Sequence, residues 1–156
     1  MKALVISDSH GATGILRDLL VLVEQQGKPD ALIYCGDGIY DVLPYRQYSL
    51  RFWAVRGNCD LSAPRDIPAE RQERLQGVQV FIAHGNGYHA KRGPQTLCYR
   101  AQELGAQVVC YGHSHRPLNE WLQGVLMLNP GALADGRYAM LTVSDDGNVQ
   151  AELLQL

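Results

Sequence analysis

Apolar residues along this chain gather in short runs, and each run stops at a polar, glycine-flanked cluster. Residues 2–6, 31–35, 51–55, 78–82 and 107–111 have the length and the mostly apolar character of strands buried on both faces. Between the first two runs, Ile15, Leu16, Leu19, Leu20, Leu22 and Val23 recur at helical spacing, which predicts a helix over 15–26 that Gly27 ends. Strand, helix, strand is a βαβ unit, so the first two strands should lie parallel with a right-handed crossover. A second helix is predicted over 95–104, closed by Gly105.

The remaining segments are more polar. Residues 38–50 hold room for a short helix limited by Pro44, 61–68 read as a proline-punctuated connector, and 85–94 as a glycine-rich loop. At 69–82 the polar run Glu70-Arg71-Gln72-Glu73-Arg74 precedes Gly77 and an apolar stretch, which reads as an antiparallel hairpin with a polar first strand; a short helix is the rival reading. After His115 the pattern is all-β. Residues 118–123 and 125–129 flank Gly124, and 138–144 and 149–154 flank the turn Asp145-Asp146-Gly147-Asn148. A βαβ half followed by hairpins predicts two packed sheets with helices outside them, and no linker divides 1–156 into separate domains.

Composition narrows the function classes. A chain of 156 residues, 46% apolar, is about the size of one domain with a real core. A net charge of -2 offers no basic face for long nucleic acid. Cys35, Cys59, Cys98 and Cys110 show no metal-type spacing and read as reduced thiols of a cytoplasmic protein. No stretch approaches the roughly 20 apolar residues of a membrane helix, and the N-terminal run, broken by Asp8, is too short for a signal segment. The oligomeric state is open, with Trp53, Trp121 or the tyrosines available for a homo-oligomer surface.

The clusters that stop the strands carry the chemistry. They are Asp8-Ser9-His10, Gly36-Asp37, Gly57-Asn58-Cys59-Asp60, Ala83-His84-Gly85 and Gly112-His113-Ser114-His115. In open α/β sheets ligands sit at the carboxyl ends of strands, so two Asp, one Asn and four His collect on one edge. That is a two-metal site in outline. Asp8 and His10 are two apart, as are His113 and His115, so in an extended backbone each pair shares a side and the pairs can clamp ions between them. Two ions about 3.5–4 Å apart suit in-line displacement at phosphorus and need a shared anion, for which Asp37 is placed. Asn58 adds a neutral oxygen. Two divalent ions against two carboxylates leave a positive surplus that lowers the pKa of bound water. Imidazole with oxygen suits Mn, Fe, Zn, Co or Ni better than Ca or Mg.

D-x-H, G-D, G-N-x-D, a strand ending in H-G, and G-H-x-H, in this order, resemble the calcineurin-like metallophosphoesterases, and most closely their small bacterial and archaeal phosphodiesterases. The resemblance runs from residue 2 to about 132 and includes the turn Asn129-Pro130-Gly131. It implies a four-layer α/β/β/α sandwich, with two mixed β-sheets flanked by helices and the metals at the strand ends. It assigns Asp8, His10, Asp37 and His115 to one divalent ion and Asp37, Asn58, His84 and His113 to the other, with Mn the first candidate. The implied activity is hydrolysis of a small phosphodiester by a metal-bridging hydroxide, Asn58 and His84 orienting the phosphate and Asp37 joining the ions.

Two positions depart from the pattern. Cys59 stands where many relatives have a histidine that assists the phosphate or the leaving group, so leaving groups of high pKa should react poorly. Ala132 replaces the usual serine of the Asn-Pro-Gly-Ser turn. Cys59, Lys91 and Arg92 are candidate substrate contacts; Asp60 reads as turn-forming and His89 as a loop residue. The competing readings are a non-catalytic scaffold of the retromer-subunit type, and a phosphomonoesterase or nuclease on the same site. Against the scaffold stands the presence of all seven ligand residues.

Overall fold

In the computed structural model, which describes all 156 residues, ten strands and three α-helices follow one another as β1 (Lys2–Ile6), α1 (Thr13–Gln26), β2 (Ala31–Tyr34), α2 (Ile39–Val42), β3 (Arg51–Ala54), β4 (Glu70–Leu75), β5 (Val78–Ala83), α3 (Gln95–Leu104), β6 (Val108–Cys110), β7 (Leu118–Leu122), β8 (Val125–Asn129), β9 (Arg137–Val143) and β10 (Val149–Gln155). They make two mixed five-stranded sheets, in the orders β10-β9-β1-β2-β3 and β4-β5-β6-β8-β7.

The continuous apolar runs are explained by burial on both faces. Along β1, Ala3 and Val5 face the second sheet in a core shared with Val80, Ile82, Val108 and Leu128. The alternate residues Leu4 and Ile6 pack outward with Leu16, Leu19, Leu20 and Val23 of α1. The second sheet repeats this, with Phe81, Val109 and Met127 packing against Leu97, Cys98 and Ala101 of α3. The order of layers is therefore helix, sheet, sheet, helix. Leu4 and Phe81 are wholly buried, and truncating either to alanine would cost about 2–5 kcal/mol.

Register places the chemistry. β1, β2 and β3 are parallel, as are β5, β6 and β8, so their carboxyl ends rise together at one rim. The polar strand β4 is an antiparallel sheet edge, where one face meets water, and the helical alternative for that segment fails. Its turn, Gln76-Gly77, has φ of 50° and 83°, and Gln123-Gly124 repeats this with 48° and 80°. Both are two-residue turns whose left-handed residues match the strand twist, so Gln123 belongs to the turn and not to β7.

Other boundaries shift for local reasons. Helix α1 starts at Thr13, two residues before the predicted 15, because Thr13 and Gly14 are exposed and carry no apolar signal. Residues 38–50 form the single turn α2 and a 3-10 turn at Leu43–Tyr45. The loop 85–94 folds into two further 3-10 turns, Asn86–Tyr88 and Ala90–Arg92. Trp53 is 7% exposed and lies between the sheets, so it is no association surface, whereas Trp121 is 57% exposed. No helix is long and apolar enough to cross a membrane.

Candidate metal centre

The chain must reverse sharply where each parallel strand ends, and the reversal falls on the ligand candidates themselves. Asp8, His10, Asp37, His113 and His115 have φ of 54°, 43°, 63°, 67° and 58°. This corrects the extended geometry expected of Asp8/His10 and His113/His115: their side chains converge through left-handed backbone, a conformation that costs non-glycine residues about 1 kcal/mol or more. Two flanking glycines are dictated by space. A Cβ on Gly57 would lie 2.1 Å from Asp37 Oδ1, and one on Gly112 would lie 1.9 Å from Ser7 Oγ and 2.5 Å from Asp8 Oδ2.

Six of the seven predicted residues come together as two triads, Asp8-His10-His115 and Asp37-His84-His113, with ligand atoms within 4.8 Å of one another in each. In the first, His115 Nε2 lies 3.1 Å and His10 Nε2 3.6 Å from Asp8 Oδ1, and the two Nε2 atoms are 3.3 Å apart. In the second, His84 Nε2 lies 3.2 Å from both Asp37 Oδ2 and His113 Nδ1. The triads adjoin, since Asp8 Oδ1 is 4.0 Å from His84 Nε2. Asn58 is exposed, and its amide nitrogen faces Cys59 Sγ at 3.6 Å. Cys59 Sγ, in turn, groups with His10 and Asp37.

The donor atoms suit divalent ions. Two imidazole nitrogens 3.3 Å apart and a carboxylate oxygen 3.1 and 3.6 Å from them are close enough for one cation to take all three. His84 Nδ1 donates to the Cys35 carbonyl at 2.7 Å, which leaves Nε2 as the neutral ring's lone-pair nitrogen and fixes the tautomer metal binding needs.

Electrostatics bind the second triad without any ion. Burial opposes ionisation of Asp37, but the His84 imidazole and the Cys59 N–H outweigh it and hold the carboxyl well below the usual range. Burial likewise disfavours a charged His84, yet the Asp37 and Asp8 carboxylates raise its pKa. His113 is lowered, first by burial and then by the neighbouring His84 and the Lys91 ammonium. The Cys59 thiol is raised, chiefly by the Asp37 carboxylate it faces, so it stays protonated.

Further residues hold the ligand loops in place, and of these Asp41 and Ser7 carry no signal in the sequence. Asp60 accepts four backbone N–H bonds, from Asp37, Gly38 and Gly57 at 2.8 Å and Ile39 at 3.0 Å, in keeping with its reading as turn-forming. Asp41 accepts from Ser9 Oγ at 2.6 Å and the Gly11 N–H at 2.8 Å, fixing the turn that carries His10. Ser7 donates to Asp8 Oδ2 at 2.6 Å. Buried Asn129 donates to the Gly112 carbonyl and to Ser114 Oγ, both at 3.0 Å, so the predicted turn steadies the His113–His115 loop. Ala132, at the serine position, is buried.

Comparison with known proteins assigns this arrangement. Residues 1–146 match the model of the calcineurin-like phosphoesterase superfamily domain. The chain belongs to that superfamily. The probable metallophosphoesterase YsnB of Bacillus subtilis (strain 168) is 36% identical over 153 residues, covering 94% of this chain and 86% of that protein. Phosphodiesterase YfcE of Escherichia coli (strain K12) is 29% identical over 156 residues, covering 86% and 80%. Among solved structures, a mutant of Vps29 from Entamoeba histolytica matches with a TM-score of 0.78 over 100% of this chain and 99% of that one; at 19% identity this likeness speaks for the fold alone. As a calcineurin-like phosphoesterase, the chain carries its candidate metal ligands on the rim of the two-sheet scaffold.

Proposed function

We propose that this chain is a metal-dependent phosphodiesterase that works with two divalent ions, Mn first among them. The observation that carries the reading is the pair of adjoining triads, six nitrogen and oxygen donors from strand-end loops, opening to solvent on the side of His10 and His115. Asp8, His10 and His115 would hold one ion and His84 and His113 the other, with Asp37 shared and Asn58 completing the second set. Bound divalent ions would supply a water of lowered pKa and neutralise charge building on phosphorus.

The protein's own groups set the rest. His84, locked to the Cys35 carbonyl, keeps one ring nitrogen facing the site without a change of tautomer. Asn58 sits exposed at the rim, where its amide can orient a phosphate oxygen. Cys59, with its thiol raised, is a weak acid beside the leaving-group side, so aryl esters should outpace alkyl esters. The substrate is a small phosphodiester, since a chain of net charge -2 offers no track for long nucleic acid. Four free cysteines, three of them buried, fit a reducing cytoplasm.

The test is hydrolysis of bis(p-nitrophenyl) phosphate and of p-nitrophenyl phosphate by chelator-stripped protein resupplied with Mn²⁺, Ni²⁺, Co²⁺, Zn²⁺ or Mg²⁺. Diester activity should return with metal and fall by at least about 100-fold in Asp37→Asn, more than the loss typical of an outer partner of a ligand. Preference for the monoester would make the protein a phosphatase. Silence toward both esters with metal bound would move it to the scaffold class.

A further inference from the structure

Beside His113 the surface opens into a crevice of about 150 Å³, lined among others by Lys91, Arg92, Ser114 and Arg116. Its lining includes three cations and no acid, in a chain whose net charge is -2. None of the three cations is engaged in an ion pair. The cavity adjoins the metal rim through Ser114, which lines it and lies between His113 and His115 in the chain.

Both walls are held in place. On one side buried Ala90 anchors the 3-10 turn that carries Lys91 and Arg92, and Arg92 N–H bonds the His89 carbonyl at 2.8 Å. The Tyr88 phenol ties the same loop to Glu70 of β4. On the other side the Arg116 N–H donates to Ser114 Oγ at 3.3 Å, and that hydroxyl also receives the Asn129 amide. The backbone that carries the three cations is thus set, while their exposed side chains are free to close on an anion.

We infer that this crevice receives a second phosphate group of the substrate, so that the preferred substrates are phosphodiesters with a terminal phosphate monoester on one ester arm. The inference rests on the phosphodiesterase reading and names its substrate class. Two guanidinium groups and an ammonium match the charge and the several oxygens of a phosphate dianion, for which paired N–H bonds are the favoured geometry. The volume falls below the roughly 300–1,000 Å³ of pockets that enclose whole small molecules, so it suits one charged group and not a base with its sugar.

The test uses the Mn²⁺-loaded full chain and p-nitrophenyl phosphodiesters with one leaving group and three second arms: 3-hydroxypropyl, 3-carboxypropyl and 3-phosphopropyl. The terminal phosphate should lower KM about tenfold relative to the hydroxyl, and about 0.5 M salt should erase most of that advantage. The ratio should fall to within about twofold in the Arg92→Ala/Arg116→Ala double variant and persist in Lys28→Ala, on the opposite rim. Equal KM for hydroxyl and phosphate arms, a carboxylate as good as the phosphate, or a ratio intact in the double variant would each overturn the inference. Failure to hydrolyse even the hydroxyl-armed diester would instead sink the phosphodiesterase reading beneath it.

Discussion

The two triads at the rim are built from the same residue types and stand in contrast. Asp37-His84-His113 is mostly buried: the side chains of His84 and Asp37 are 1% and 4% exposed. Its second histidine nitrogen is already spoken for by the Cys35 carbonyl, and its aspartate loop is pinned by Asp60. Asp8-His10-His115 has an equally buried carboxylate, but its histidine side chains are 35% and 46% exposed and have only each other and Asp8 as polar neighbours within 3.6 Å. One triad is held in place by the protein's own hydrogen bonds; the other has fewer of them and lies open to solvent. Under the proposed function, the open side is where a substrate would approach.

The largest expected effect removes the contrast altogether. In Gly57→Ala the new methyl would meet Asp37 Oδ1 at 2.1 Å and displace the residue proposed to join the two ions. Diesterase activity should fall more than about 100-fold, with bound Mn lost and circular dichroism unchanged; retained metal at full stoichiometry would break the account. Next comes a direct contest between His84→Ala and His115→Ala. Each should weaken one ion, but only the former leaves a buried carbonyl unpaired, costing the metal-free protein about 1–3 kcal/mol in urea denaturation. Equal stabilities of the two variants would erase the difference between the triads.

A pH series sharpens the same comparison. Asp37 is lowered in the folded chain, so its contribution is present above the ordinary carboxyl pKa of 3.8 and is lost as pH falls toward the folded value. His84 is raised, so its contribution is full below 6.5 and is lost as pH rises through the folded value. The metal-free protein should therefore gain most from this pair between about pH 4 and 6.5. Asp37→Asn should flatten that window in thermal denaturation. The smallest effect belongs to the open triad: His10→Asn should raise metal-free stability by up to about 1 kcal/mol, because Asn tolerates a φ of 43° better than His. A fall in stability would show that His10 packing outweighs its backbone strain.

Much of this architecture was legible because it repeats. The continuous apolar run of β1 and the helical spacing in α1 are local signals, and Gly77, Gly124 and the turn 145–148 marked hairpins that the sheets then used. The ligand positions were legible as polar stops after apolar runs, yet the backbone geometry inferred for them was wrong. Spacing of two implies a shared side only in extended chain, and at Asp8 and His113 the strand has already ended. Asp41 and Arg116 escaped notice for a different reason: Gly11, which Asp41 bonds, and the 90–94 loop, which lines one cavity with Arg116, lie far away in sequence. Pattern reveals what a segment does to itself; it is silent on which distant segment it meets.

Five of the eight non-glycine residues with left-handed backbone are members of the two triads. Chemistry and comfort thus pull against each other at this rim. The strained backbone of the ligand positions is a cost that the two-sheet core beneath them must carry, so the rim is the part of the fold with the least intrinsic support.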